Sequence, residues 1–213
     1  MTISVTALSV HGTDEIAVSV EISDGEHTQK ERLIISSVQC ADLGLKYGDI
    51  TERDYDALLF TSQIHTAVKQ GLSILSYGMC SENALIRKLI SRGNSREIAE
   101  MATEELKQNG YIDQDEDAAR EAERGAIKLW GKIRITASLR EKGYSDDSIR
   151  YALTYLRASG VDYIENCATL IRRRWGEIPS DHAERRKMVA TVMRYGYTTD
   201  EIRAACKYVK KGN

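Results

Sequence analysis

Along the first 35 residues, apolar and polar positions alternate. Ile3, Val5 and Ala7 fall on one side of an extended chain and Ser4 and Thr6 on the other; after His11 to Asp14, the residues Ile16, Val18, Val20 and Ile22 resume the period of two. Successive strand side chains point to opposite faces, so this pattern predicts half-buried strands. Asp24-Gly25 supplies the positive φ angles of a tight turn, and the chain returns through Leu33, Ile34 and Ile35. Two or three antiparallel strands are expected, too few to be stable alone, so the sheet must lean on the rest of the chain.

From about Thr51 the apolar period becomes helical and the glycines become regular. An aromatic residue precedes Gly at Tyr77-Gly78, Trp130-Gly131 and Trp175-Gly176. A second set falls at Gly93, Gly143 and Gly196, and a third at Gly110, Gly160 and Gly212. Gly tolerates the left-handed conformation that closes a helix, so these nine, spaced 12 to 21 residues apart, predict nine helix ends. Helix starts agree: Ser81, Ser95, Ser145 and Asp162 precede helical runs, and Thr198 with Glu201 makes a capping box.

The same glycines disclose a repeat. Gly93 and Gly143 lie 50 residues apart, as do Gly110 and Gly160, Leu89 and Leu139, and Leu106 and Leu156; the next copy is offset by 53, from Gly143 to Gly196 and from Ile149 to Ile202. One unit is three helices in about 50 residues, with extra residues near Pro179 in the last copy. The chain reads as a β-rich module over 1–50 and helical repeats over 51–112, 113–160 and 161–213. The fold class expected is mainly α, three tandem three-helix repeats in an elongated curved array behind a small antiparallel β-sheet. A long concave face suits a filament or strand better than a small substrate.

Composition narrows the picture. Aromatic residues at 7% rule out a large aromatic core, and one Pro, against about 5% in an average protein, fits a helical chain. A net charge of −2 excludes a uniformly basic coat for nucleic acid, but the charge is uneven. Residues 1–50 hold 3 basic and 8 acidic side chains, a net of −5, whereas residues 161–213 hold 11 and 7, a net of +4. Cys40, Cys80, Cys167 and Cys206 are far apart, without a C-x-x-C or clustered His, and read as buried reduced thiols. The N-terminus has no signal-peptide pattern and no stretch approaches the roughly 20 apolar residues of a membrane span, so a cytoplasmic protein without membrane contact is expected.

Candidate chemistry is thin. The stretch from Gly125 to Ile133 looks like a phosphate loop, but five residues rather than four separate Gly125 from Gly131, and Ile133 stands where the Mg-binding hydroxyl belongs. Asp113, Asp115 and Asp117 begin like a calcium loop, yet Ala118 replaces the turn Gly and Arg124 the closing Glu. An acidic helix N-terminus, complementing the helix dipole, is the better reading. The four His are scattered and no nucleophile motif appears, so neither catalysis nor a cofactor is expected.

The basic cluster says more. On the helix after Asp162 the apolar stripe is read as Ile164, Ala168, Ile171 and Trp175, which turns Arg173 outward with Arg172 and Arg174 beside it. The next helix adds Arg185, Arg186 and Lys187, and the last adds Arg203, Lys207, Lys210 and Lys211. A charge run is ordinarily a solvated face, but 11 of the 30 basic residues lie in the last quarter of the chain, enough to attract phosphates or an acidic protein surface. Tyr77, Trp130 and Trp175 invite comparison with base-stacking platforms; at equivalent helix ends, packing between helices is the simpler expectation.

Two segments resemble a known family. Leu85 to Gly93, followed by Ile98 and the run Leu106 to Asp113, is similar to the first repeat of RecX, the bacterial regulator of the recombinase RecA; Gly131 to Tyr144, with Ile149 and Leu153, is similar to the second. The resemblance covers about residues 51–212, and Leu43 to Ile50 resembles the approach to the first helix in longer members. Ala118 and Ala119 stand where the family tends to place a bulky aromatic, and Asn94 replaces an aromatic or aliphatic residue. The resemblance implies a non-enzymatic modulator that lies in the groove of the RecA–single-stranded DNA filament, bridges neighbouring protomers and hinders extension, ATP hydrolysis and strand exchange; an arc with a basic face can also follow DNA phosphates, and a monomer is expected. The contact residues expected are Arg172, Arg173, Arg174, Arg185, Arg186 and Lys187, with Arg134 and Arg140 as lesser candidates. Two other functions compete. The helices around Gly93 have the outline of a helix-turn-helix DNA reader, although its second helix carries Glu97, Glu100, Glu104 and Glu105; a passive helical adaptor is the other.

Overall fold

The computed structural model describes residues 1–211. The elements are β1 (Thr2–Val10), β2 (Glu15–Ser23), β3 (Thr28–Ser36), α1 (Ser37–Asp42), β4 (Gly48–Ile50), α2 (Glu52–Ser76), α3 (Glu82–Ser91), α4 (Arg96–Gln108), α5 (Gln114–Ile127), α6 (Lys132–Glu141), α7 (Asp146–Ala158), α8 (Tyr163–Trp175), α9 (His182–Arg194) and α10 (Thr199–Lys211). Two compact units emerge, one of residues 1–79 and 85–111, the other of residues 80–84 and 112 onward.

The first unit holds an antiparallel sheet in the order β3-β2-β1-β4. Ile3, Val5, Val18, Val20 and Ile35 make its buried face, closed by Leu58 of α2. Two expectations are corrected here. The sheet has four strands rather than two or three, because β4 is only three residues long and too short to show an alternation. Ala7 does not continue the Ile3–Val5 face: the register shifts between Val5 and Ala7, and Leu8 packs on the core instead. Thr6 is the extra residue of a bulge, and one inserted residue reverses every later side chain. Glu15 ties the sheet to α2, its carboxylate lying 2.8 Å from His65 Nε2 and accepting from Lys69 Nζ at 2.7 Å.

Among the described residues, nine longer helices run in threes. In each trio the first and third helices, α2 with α4, α5 with α7 and α8 with α10, make the main contact. In the second unit, Ala118, Ala119, Ala122 and Ala126 of α5 are buried against Ile149, Ala152 and Leu156 of α7, so small residues let these two helices approach closely. The third core joins Cys167 and Ile171 of α8, Met188 and Val192 of α9, and Ile202 and Val209 of α10. Cap signals are realised: Ser95, Ser145, Asp162 and Asp181 each accept a backbone N–H of the first turn, and Thr198 and Glu201 exchange the two bonds of a capping box. Asp113 caps the acidic start of α5.

Of the nine glycines expected at helix ends, Gly212 lies outside the described residues and seven have positive φ beside a helix terminus. Gly131 is the exception. Its φ is −76° and it begins α6 as N-cap rather than ending α5. The left-handed residue that closes α5 is Leu129, at φ 56°, with Leu129 N–H donating to Ala126 and Trp130 N–H to Gly125. A non-glycine there costs about 1 kcal/mol, and Leu129 offsets the cost by packing on the third core.

Candidate functional site

Gly131 needs its missing side chain for space. Its N–H donates to the carbonyl of Tyr195 at 2.8 Å, and a Cβ there would stand 2.3 Å from the carbonyl oxygen of Gly196. Two further bonds hold the same seam: Ile133 N–H donates to Gly196 at 3.2 Å, and the buried Tyr197 hydroxyl donates to the Leu129 carbonyl at 2.9 Å. The turn between α9 and α10 is thereby clamped to the first turn of α6.

That clamp sets a row of cations and rings. The guanidinium of Arg134 lies 4.3 Å from the ring centre of Trp130 and 5.2 Å from that of Tyr195; Arg174 lies 5.3 Å from the Tyr195 ring and donates to its hydroxyl at 3.3 Å. Lys128 adds a cation 5.2 Å from Trp130. Each stack contributes about 0.5–1 kcal/mol at an exposed site, enough to orient a guanidinium while leaving its charge unneutralised. The ladder Lys128–Trp130–Arg134–Tyr195–Arg174 therefore offers cations and ring edges together, a surface able to hold phosphates, carboxylates or flat bases.

The other basic residues expected at a site divide into three groups. Arg172 is exposed and turns to α10, donating to the Tyr208 carbonyl at 3.4 Å. Arg173, Arg185 and Arg186 are exposed, with no ion pair or hydrogen bond among the described residues. Lys187 and Arg140 are engaged locally, with Glu184 at 2.7 Å and Asp146 at 3.1 Å; the Glu184 bond holds the Lys187 ammonium above its usual range. Because Arg172 to Arg174 end α8, they also complement its dipole.

Two sequence readings of this region need correction. Ile164 is 36% exposed, and the buried stripe of α8 is Cys167, Ala168, Leu170 and Ile171, closed by Trp175 at its edge. Tyr77 is 89% exposed, so of the three aromatics expected to pack between helices only Trp130 and Trp175 lie against a core. Sequence reasoning missed Lys128 and Tyr195. The signal was the pair Trp130-Gly131 and Tyr195-Gly196, two aromatic-Gly steps whose backbones meet.

Elsewhere the chemistry is quiet. Burial pushes the Cys167 thiol up to about 12 and raises Cys206, whose shift Arg185 and Lys210 oppose. Among the described residues no group of three or more His, Cys, Asp or Glu is placed to hold a metal, and no helix is long and apolar enough to cross a membrane. The exposed face of α4 carries Glu97, Glu100 and Glu104, with Arg96 paired to Glu100 at 2.8 Å.

Comparisons with known proteins agree with this architecture. Residues 161–206 match the third three-helix domain of RecX. The regulatory protein RecX of Xanthomonas axonopodis pv. citri (strain 306) is 33% identical over 144 residues, which span 67% of this chain and 87% of that protein. RecX of Stenotrophomonas maltophilia (strain R551-3) is also 33% identical, over 67% of this chain and 86% of its own. A crystal structure of regulatory protein RecX superposes with a TM-score of 0.72 at 19% identity, covering 98% of this chain and 99% of that one. RecX from Lactobacillus salivarius gives a TM-score of 0.61 at 18% identity over 70% of this chain and 97% of its own. A shared trihelical fold, together with a third of the residues identical across most of a relative's length, makes this chain a member of the RecX family of regulatory proteins.

Proposed function

We propose that the chain is a non-enzymatic, monomeric regulator of the cytoplasm that lies along a RecA–single-stranded DNA filament. There it restrains filament extension, ATP hydrolysis and strand exchange in recombination, DNA repair and the SOS response. The observation that carries this reading is membership of the RecX family. The cation and aromatic ladder gives it a chemical basis, since Arg134 and Arg174 hold charge in fixed places beside Trp130 and Tyr195. Arg173, Arg185 and Arg186 are the further contacts of first choice, being free of carboxylate partners among the described residues. Arg172, Lys187 and Arg140 must first give up an internal bond. The modules that carry these contacts are 1–50, 51–112, 113–160 and 161–213, and many weak contacts from several modules would add as avidity. A helix-turn-helix reader has less support, because the exposed carboxylates of α4 would meet a phosphate backbone.

The test is co-sedimentation of the protein with RecA filaments on single-stranded DNA, beside free DNA and free RecA. Retention by the filament above either component alone supports the reading. Equal recovery in all three arms contradicts it.

A further inference from the structure

The exposed side of α9 and α10 differs in chemistry from the ladder. On α9 the positions 182, 186, 189 and 193 recur at helical spacing, and Val189 and Met193 are left at least partly open to solvent, Met193 at 51%. On α10 the positions 199, 202, 203, 206, 207 and 210 line a cleft of about 360 Å³ with Arg185 and Val189 of α9. Its floor is apolar, made by Val189, Ile202 and Cys206. A neighbouring hollow continues it across Arg185 and Val189 to Arg186, Ala190 and Met193.

Charge surrounds this apolar strip with one sign. Arg185, Arg186, Lys207 and Lys210 have no carboxylate partner among the described residues, and Arg203 is paired only with the exposed Asp200 at 3.2 Å. Among the described residues, no Asp or Glu lines either hollow. Arg185 of α9 and Lys210 of α10 line the same cleft as Cys206, which sets their charges around one floor.

We propose that this α9–α10 groove is a docking site for an acidic amphipathic helix of a protein partner, carboxylates on the rim and aliphatic side chains on the strip. The groove runs along α10 from Thr199 to Lys210, about 16 Å or three helical turns, matching a short helix. Charge complementarity selects acidic over basic partners. The lining favours protein over nucleic acid: among the described residues it has no Trp, Tyr or Phe, its one ring being His182 at the end of the second hollow, and phosphates would leave the open Val189 and Met193 without apolar contact. The groove thus deepens the regulatory reading, on which it rests: Arg185 and Arg186, named above as filament contacts, would meet carboxylates of a protein component there, while the ladder stays available to phosphates and bases.

The probe is a fluorescein-labelled helical peptide of about 14 residues with Glu and Leu at alternating helical faces, titrated by anisotropy in the absence of RecA and DNA. Three results are expected. Replacing its Leu by Ser weakens binding by about tenfold or more; R185E/K207E in the protein abolishes it; and an unlabelled single-stranded oligonucleotide does not displace it. With methyl-labelled Met, the Met193 signal shifts on binding while that of Met101, in the first unit, stays. M193A, at an exposed position, weakens binding without touching a charge, and covers the case in which R185E/K207E does not fold. Equal binding of the Ser peptide, displacement by the oligonucleotide, or an unmoved Met193 signal overturns the groove. Those outcomes leave the filament reading intact, because co-sedimentation tests it separately; loss of co-sedimentation with peptide binding retained fails the filament reading alone.

Discussion

Gly131 and Gly196 touch backbone to backbone: a Cβ on the first would lie 2.3 Å from the carbonyl oxygen of the second, and a Cβ on Gly196 would lie 2.4 Å from the amide nitrogen of Arg134. This contact fixes where Arg134 stands relative to Tyr195, and so it builds the ladder. Since the obstructing atoms are backbone, they cannot rotate away. We predict that Gly131→Ala destabilises the protein by about 1–3 kcal/mol, read as a lower midpoint in urea unfolding. An unchanged midpoint would mean that the seam is loose.

The ladder shares one ring between two guanidinium groups. Tyr195→Ala removes that ring from both Arg134 and Arg174, and also removes the hydroxyl that accepts from Arg174. We predict a loss of about tenfold in affinity for RecA filaments, with Tyr195→Phe close to wild type because the ring remains. The co-sedimentation isotherms of the two variants decide this; equal losses would shift the role from the ring to the hydroxyl.

Glu15 gives the N-terminal sheet a pH dependence. The hydrogen bonds that it accepts from Lys69, and then from His65, hold the carboxyl below its ordinary value of 4.5. A depressed folded-state value means the stabilisation is complete above the unfolded value and fades as pH falls through the folded one. The wild type should therefore lose stability on acidification below about pH 4.5, and Glu15→Gln should show a flatter dependence over that window. Parallel melting curves for the two proteins from pH 6 down to pH 3 would refute this coupling.

Thiol reactivity reports the cores. Cys40 is half-buried, Cys80, Cys167 and Cys206 are buried, and the Cys167 thiol is pushed up to about 12 by burial. A neutral, inaccessible thiol is a poor nucleophile. Native protein should show one promptly reacting thiol with an aromatic disulfide reagent at pH 8, and four in denaturant. Cys40→Ser should remove the prompt phase; its survival would mean that a core opens readily.

Much of the fold could be read from the chain, and the failures have local causes. The period of two found β1 to β3, but not the three-residue β4, and it could not foresee that Thr6 bulges and exchanges Leu8 for Ala7. Helix starts were legible because Ser95, Ser145 and Asp162 cap through side chains. Glycine has two uses, φ and space, and the sequence does not say which one operates; Gly131 serves space while Leu129 takes the φ. The α8 arginines were visible as a run, whereas the pairing of Arg134 with Tyr195 joins residues 61 apart in sequence and exists only once the second and third trios meet.

The most direct test of RecA regulation by this protein is its titration into a RecA ATPase reaction on single-stranded DNA, beside the double variant R173E/R186E. Both arginines are exposed and without ion pairs among the described residues, so the variant should keep its fold, losing no more than about 1 kcal/mol where Glu replaces a cation at the C-terminus of α8. Wild type is predicted to suppress ATP hydrolysis progressively, and the variant to need at least about tenfold more protein for the same effect. Undiminished hydrolysis at saturating wild-type protein would contradict the proposed regulation.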